Sequence, residues 1–240
     1  MILTAVLALA VAASAQPAAS DMPAGTAPGA PGGWQKKPSS LVLIGADGDV
    51  LDEAGLGEFR ESAAGGMVLK TTMLGGASAD GRFAWKWRKR ETLRAGRDDR
   101  SIGSTVSLSY LGAQGQPLWE SDSADAPAGV DPLAQSADGE TVLLVQRSPA
   151  GWKIAAMKSS GARVVELPPV QRLERVQLTA NGRYALVLAG PRDGALVYTL
   201  LDLKKGARKE LAAASVPLGI DSLSEDGAAS SRKKPVYKFP

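Results

Sequence analysis

From residue 41 to residue 211 the apolar positions fall in short alternating or continuous runs broken by polar turns, the pattern of strands rather than helices. Four stretches read as hairpins: 41–53 (LVLIGADGDVLDE), 105–120 (TVSLSYLGAQGQPLWE), 153–167 (KIAAMKSSGARVVEL) and 195–211 (ALVYTLLDLKKGARKEL). Each joins two strand-like runs through a polar turn ending in Gly48, Gly115, Gly161 or Gly206. Four short boxes alternate with them: Ser78-Ala79-Asp80-Gly81, Ser136-Ala137-Asp138-Gly139, Thr179-Ala180-Asn181-Gly182 and Ser224-Glu225-Asp226-Gly227, at intervals of 58, 43 and 45 residues. Asp-Gly and Asn-Gly close tight turns because both residues tolerate positive φ. Apolar runs follow the first three boxes at Phe83–Trp85, Thr141–Val145 and Tyr184–Leu188. Residues 54–64 (AGLGEFRESAA) have room for one short helical turn, weakened by their glycines.

A period in the forties, with a tight turn and several short strands per unit, predicts an all-β fold and specifically a β-propeller. From box Ser/Thr to hairpin Gly the gaps are 37, 25 and 27 residues for the last three hairpins. The first hairpin has no box before it and the last box no hairpin after it. Joining the chain ends gives 27 residues from Ser224 to Gly48, so the pattern predicts four blades closed by N- and C-terminal strands, a device that removes exposed sheet edges. A sandwich or barrel rich in Asp-Gly turns is the competing fold, and an open arc closed by a second copy is a further variant. With these boxes the chain resembles the TolB-like β-propeller repeats over residues 39–240, with Thr179 and Asn181 departing mildly from the Ser-x-Asp-Gly turn. The resemblance implies an exported binding or scaffolding module and transfers no catalytic residue.

Residues 1–15 read as an export signal: an apolar run over 2–12, too short to span a bilayer, precedes Ala13-Ser14-Ala15, the small-x-small pattern of a cleavage site. Its n-region lacks Lys and Arg, which keeps an uncleaved anchor as the alternative. Residues 16–38 are rich in Pro, Ala and Gly and read as a disordered linker, with Trp34 packing on the domain at its end. These features place the protein in the periplasm or outside the cell, with no membrane span after signal cleavage.

The chain contains no Cys and no His. That removes disulfides, thiolate nucleophiles, Ser-His-Asp systems and the commonest metal ligands, so no cofactor and no metal is expected. The cluster Asp47, Asp49, Asp52 and Glu53 lacks the spacing of a calcium loop and reads as a hairpin turn. The box acids Asp80, Asp138 and Asp226 read as turn caps.

Charge is unevenly distributed along a chain of net +3. Residues 86–100 (KWRKRETLRAGRDDR) hold seven basic and three acidic side chains, read as a basic loop within the first blade. Lys36 and Lys37, and Arg232, Lys233, Lys234 and Lys238, form two further basic pieces. The propeller topology predicts that the three share one face. The candidate binding residues are Lys86, Arg88, Lys89, Arg90, Arg94, Arg232, Lys233 and Lys234, with Trp85 and Trp87 beside them. Such a patch suits a protein or anionic envelope component as partner. Nucleic acid is not expected, because export removes it and no series of stacking aromatics is present. The function this supports is an exported, non-catalytic interaction or scaffold module. The alternative is a glycosidase-like hydrolase using two carboxylates in the propeller channel.

Overall fold

The computed structural model describes residues 32–94, 100–216, 219–232 and 234–240, and among them there is no α-helix. Residues 1–15 and residues 16–31 of the linker lie outside the described residues. The strands form five antiparallel sheets in chain order. The first holds β1 (Gly33–Lys36), β2 (Ser40–Ile44) and β3 (Val50–Gly55). The second holds β4 (Gly57–Ala63), β5 (Met67–Ala77), β6 (Ala84–Arg94), β7 (Arg100–Leu111) and β8 (Pro117–Ser121). The third holds β9 (Leu133–Gln135), β10 (Thr141–Ser148), β11 (Gly151–Lys158) and β12 (Arg163–Glu166). The fourth holds β13 (Arg172–Leu178), β14 (Tyr184–Gly190), β15 (Val197–Asp202) and β16 (Ala207–Ala212). The fifth holds β17 (Ser222–Leu223), β18 (Ala228–Ser231) and β19 (Lys234–Lys238).

The sheets pack face to face through four apolar clusters, each joining consecutive sheets. Period-two alternation explains the continuous apolar runs. On β10, Val142 and Leu144 face the second sheet, whereas Leu143 and Val145 face the fourth. On β14, Ala185 and Val187 face the third sheet, whereas Tyr184 and Leu186 face the fifth. Up-and-down sheets stacked in this way are the blades of a β-propeller. All four hairpins form where the pattern places them, as β2–β3, β7–β8, β11–β12 and β15–β16.

Three details differ from the sequence reading. The 41–53 hairpin does not complete the last half-blade, because β2 already pairs with β1 and β18 already pairs with β19. The two end sheets therefore hold three strands each, giving five sheets instead of four blades, and no cluster among the described residues joins the fifth sheet to the first. The spacing across the join left out that Trp34, and Tyr237 with Phe239, furnish each half with an apolar strand of its own. Residues 57–63 form β4 instead of a helical turn, held in continuous register from Gly57↔Met73 to Ala63↔Met67. Finally, residues 86–94 are not loop. They belong to β6, paired on both sides with β5 and β7.

The boxes order one end of the stack. Ser136 Oγ donates to Asp138 Oδ1 at 2.6 Å and accepts the Thr141 N–H at 3.0 Å, and Thr179 repeats this with Asn181 and Tyr184. The Asp138 and Asn181 side chains in turn accept the N–H groups two residues on, the capping role read from sequence. Neighbouring boxes are hydrogen-bonded together: Ala79 N–H to Ala137 O and Ala137 N–H to Ala180 O, both 2.7 Å. At the next step Glu225 takes the Ala180 and Asn181 amides with its carboxylate, and Trp34 N–H reaches Gly81 O at 2.8 Å on the other side. This row ties all five sheets at the box end. Strands alternate in direction, so the connections β1–β2, β6–β7, β10–β11, β14–β15 and β18–β19 lie at the opposite end, and are termed the far turns.

Candidate functional site

Every far turn carries a basic residue. Lys36 and Lys37 stand at the first, Arg94 and Arg100 flank the second, Arg147 precedes the third, Arg192 lies in the fourth and Arg232 in the fifth, with Lys234 opening β19. Lys233 and Arg97 lie outside the described residues. At the box end Asp80, Asp138, Glu140, Glu225 and Asp226 in or beside the boxes and Asp47 and Asp49 in the β2–β3 turn stand together with Arg82, Arg183, Lys204, Lys205 and Lys238, and at the far end Asp193 and Asp221 accompany the basic residues. Of the three basic pieces read from sequence, Lys36 with Lys37, Arg94 with Arg100, and Arg232 with Lys234 stand at far turns, whereas Lys86, Arg88, Lys89 and Arg90 lie within β6 and Lys238 pairs with Asp226 at the box end. Arg147 and Arg192 escaped that reading, although they follow their box Ser136 and Thr179 by 11 and 13 residues, a recurrence the repeat alignment contains.

The strand β6 separates its side chains by alternation. Trp85 and Trp87 point toward the third sheet and are buried with Leu108, Tyr110 and Leu133, and Trp87 Nε1 donates to the Ala124 carbonyl at 2.6 Å. They serve the core and present no binding surface. Lys86, Arg88, Arg90 and Arg94 take the opposite face, and their cross-strand neighbours are Gly75, Met73, Thr71 and Met67 on β5. Lys86 is committed locally, paired with Asp52 of β3 and set 4.9 Å from the Trp34 ring centroid. Lys89 lies on the tryptophan face, 3.6 Å from Asp125 and 3.8 Å from Glu91. Arg88, Arg90 and Arg94 are exposed and have no acidic partner among the described residues. Beside them stand Met67, Leu69 and Met73, half-buried, and Phe59 of β4, which is 46% exposed. Arg232 and Lys234 are exposed on the fifth sheet, and nothing among the described residues brings them against β6.

Two of the cavities at the far turns involve Arg147. One of about 210 Å³ is lined by Arg147, Ser148, Trp152, Gln171 and Arg192, with no acidic side chain in its wall. The Arg147 guanidinium lies 5.4 Å from the Trp152 ring centroid. The other, of about 670 Å³, lies between β7 and the chain after β8, and Arg147 contributes to both.

Four carboxylates elsewhere are held low by structural partners. Burial raises the pKa of Asp202, but the Arg183 guanidinium and the Lys205 and Lys204 amides outweigh it and hold the group below its ordinary value. Burial also opposes ionisation of Asp80, and Ser78 and Arg82 more than compensate. Lys238 and Ser224 draw Asp226 down to about 2, and Lys70 with Arg60 lower Glu58. A general acid for glycoside cleavage needs a raised pKa, the opposite direction. Among the described residues no cluster of three or more acidic side chains is arranged to hold a metal ion, and no helix is long and apolar enough to cross a membrane.

No protein-family model matches the chain, and no curated protein matches its sequence. Solved structures do match at low identity. TolB from Acinetobacter baumannii is 15% identical, with a TM-score of 0.35 over 72% of this chain and 48% of its own. Dihydro-heme d1 dehydrogenase NirN is 16% identical, with a TM-score of 0.35 over 73% of this chain and 53% of its own. A chain of the mitotic checkpoint complex is 13% identical, with a TM-score of 0.37 over 87% of this chain and 75% of its own. This chain therefore spans about half the length of TolB and of NirN.

Proposed function

We propose that the protein is an exported, non-catalytic interaction module of TolB-like type that binds an anionic envelope component through its far-turn end. The observation that carries this reading is the recurrence of basic residues at all five far turns. Repetition along a stacked fold turns single charges into one extended field, which raises the local concentration of an anionic partner and orients its approach. Arg88, Arg90 and Arg94 extend that field along one face of β6, beside the apolar Met67, Leu69, Met73 and Phe59. A cationic strip bordered by half-buried apolar side chains and the exposed Phe59 suits a partner carrying both negative charge and hydrocarbon, as an acidic lipid surface does.

The test is co-sedimentation of the mature protein with phosphatidylglycerol-containing vesicles and with neutral phosphatidylcholine vesicles at low and moderate salt. The variant Arg88→Glu/Arg90→Glu/Arg94→Glu spares Lys86 and Lys89, which have structural partners. Wild type sedimenting with acidic vesicles only, and losing this with salt or with the triple variant, supports the reading. Equal sedimentation of both proteins, or none by the wild type, overturns it for lipid.

A further inference from the structure

We infer that the cleft beside β7 is a docking site for an extended peptide that adds to the free edge of this strand and places a basic side chain against Asp125. Three independent features converge there. The first is the edge itself. β8 pairs with β7 only over Leu108–Leu111, so among the described residues no strand lies beside the outer edge of β7 from Arg100 to Ser107. Residues 101–105 are exposed. Unpaired N–H and C=O groups in a row are a template for another strand, and proteins that leave such an edge uncharged and accessible commonly use it.

The second feature is the cleft. After Ser121 the chain leaves the second sheet and crosses to the third, where Ala124 bridges Gln146 and Arg147 N–H donates to Ser123 O at 2.9 Å. The gap between this crossing segment and β7 is the cavity of about 670 Å³. The successive residues Ser104, Thr105 and Val106 all line it. Consecutive strand residues point to opposite faces, so a cavity touching all three reaches the edge of the strand, and Lys89 and Glu91 of β6 in its wall carry it on over the tryptophan face of the sheet. The part along the edge suits an extended backbone.

The third feature is Asp125. It is 6% exposed and lines the cleft, and its Oδ1 accepts no hydrogen bond among the described residues. The nearest cation, Lys89 Nζ, stands 3.6 Å away and is shared with Glu91. A buried carboxylate oxygen without a donor is costly, and the cost is recovered when a ligand supplies an N–H. Asp122 and Glu91 lie in the same wall, so the acidic groups outnumber Lys89 and Arg147. A Lys or Arg of the incoming strand is the complement. The face of β6 carrying Arg88, Arg90 and Arg94 is on the other side of the sheet, and this inference does not depend on it.

The experiment is selection from a displayed library of random heptapeptides against the full-length mature protein, with Asp125→Asn run in parallel. The most enriched peptide is then synthesised with and without backbone N-methylation on alternate residues. Circular dichroism and the urea midpoint confirm that the variant is folded. The expected result is enrichment of β-prone peptides with Lys or Arg at one fixed position, at least tenfold weaker binding to Asp125→Asn, loss of binding on N-methylation, and slowed amide exchange at 101–107. Failure to enrich any peptide overturns the inference. So does a peptide that binds the variant equally well, or one that tolerates N-methylation in both registers. Should Asp125→Asn not fold, Lys89→Met, which deepens the unpaired carboxylate, replaces it, and tighter peptide binding is then expected. Unchanged or weaker binding by that variant overturns the inference.

Discussion

Glu225 reaches from the fourth box to the third and accepts the Ala180 N–H at 2.7 Å, where the other boxes use a backbone carbonyl for the same bond. Its second oxygen takes the Asn181 N–H, and the Asn181 side chain returns a bond to the Glu225 carbonyl at 2.8 Å. The fifth sheet, the shortest, is thus fastened by a side chain. Glu225→Ala is expected to speed exchange of the Ala180 and Asn181 amides about tenfold while leaving the Ala137 amide unchanged. Amide exchange followed by mass spectrometry or NMR checks this. Equal acceleration along the whole row would mean that the sheets do not open separately.

The box glycines hold one blade against the next. Gly139 has φ +72°, and a Cβ there would meet the Phe83 ring at 2.6 Å. Gly139→Ala is expected to cost about 2 to 3 kcal/mol in urea unfolding, from backbone strain and from the ring it displaces. Ser136→Ala removes the hydroxyl that links Asp138 to the Thr141 amide in a buried turn, and about 1 to 2 kcal/mol is expected.

Stability should fall in acid through a definable group. Asp202 is fully buried and meets Arg183 at 3.0 Å, with its folded pKa below the unfolded value. The stability it contributes is complete above the unfolded pKa of about 3.9 and is lost as pH falls through the lower folded value. Asp80 and Asp226 add to the same limb, since their pKa values are lowered too. Asp202→Asn is expected to reduce stability at pH 7 and to flatten the decline below pH 4. Urea midpoints from pH 2.5 to 7 measure both. A parallel decline in wild type and variant would assign the acid limb elsewhere.

Trp87 distinguishes a core role from a surface role. Trp87→Phe keeps the ring against Leu108 and Leu133 but strands the Ala124 carbonyl. A loss of about 1 to 3 kcal/mol is expected, with vesicle binding unchanged in whatever fraction remains folded. Arg90→Glu is expected to do the reverse: little change in the urea midpoint and a clear loss of acidic-vesicle binding.

The strand content, the four hairpins and the repeat were legible in the sequence because each depends on local chemistry. Apolar period decides strands, and Asp-Gly or Asn-Gly decides turns. The role of the box acids was equally local, since Asp138 bonds within its own turn. What sequence alone left open was which strands meet across long separations. Trp34 sat in a segment that reads as linker, yet it is buried as part of β1, its Nε1 donating to Gly112 O at 2.8 Å. That one placement, with the pairing of β19 to β18, replaced a shared closing blade by two separate three-stranded sheets.

Candidate residues divided along the same line. The basic run at 86–94 was visible as composition, but it read as a loop, with Trp85 and Trp87 among the binding residues. Only tertiary structure decided that Lys86 and Lys89 are taken up by Asp52 and Asp125, while Arg88, Arg90 and Arg94 stay exposed. Nothing in the local sequence marks Asp125, because the burial of its carboxylate depends on where the chain crosses from one sheet to the next. Local periodicity determined the elements of this protein, and the packing of one sheet on another decided which of its charges face water.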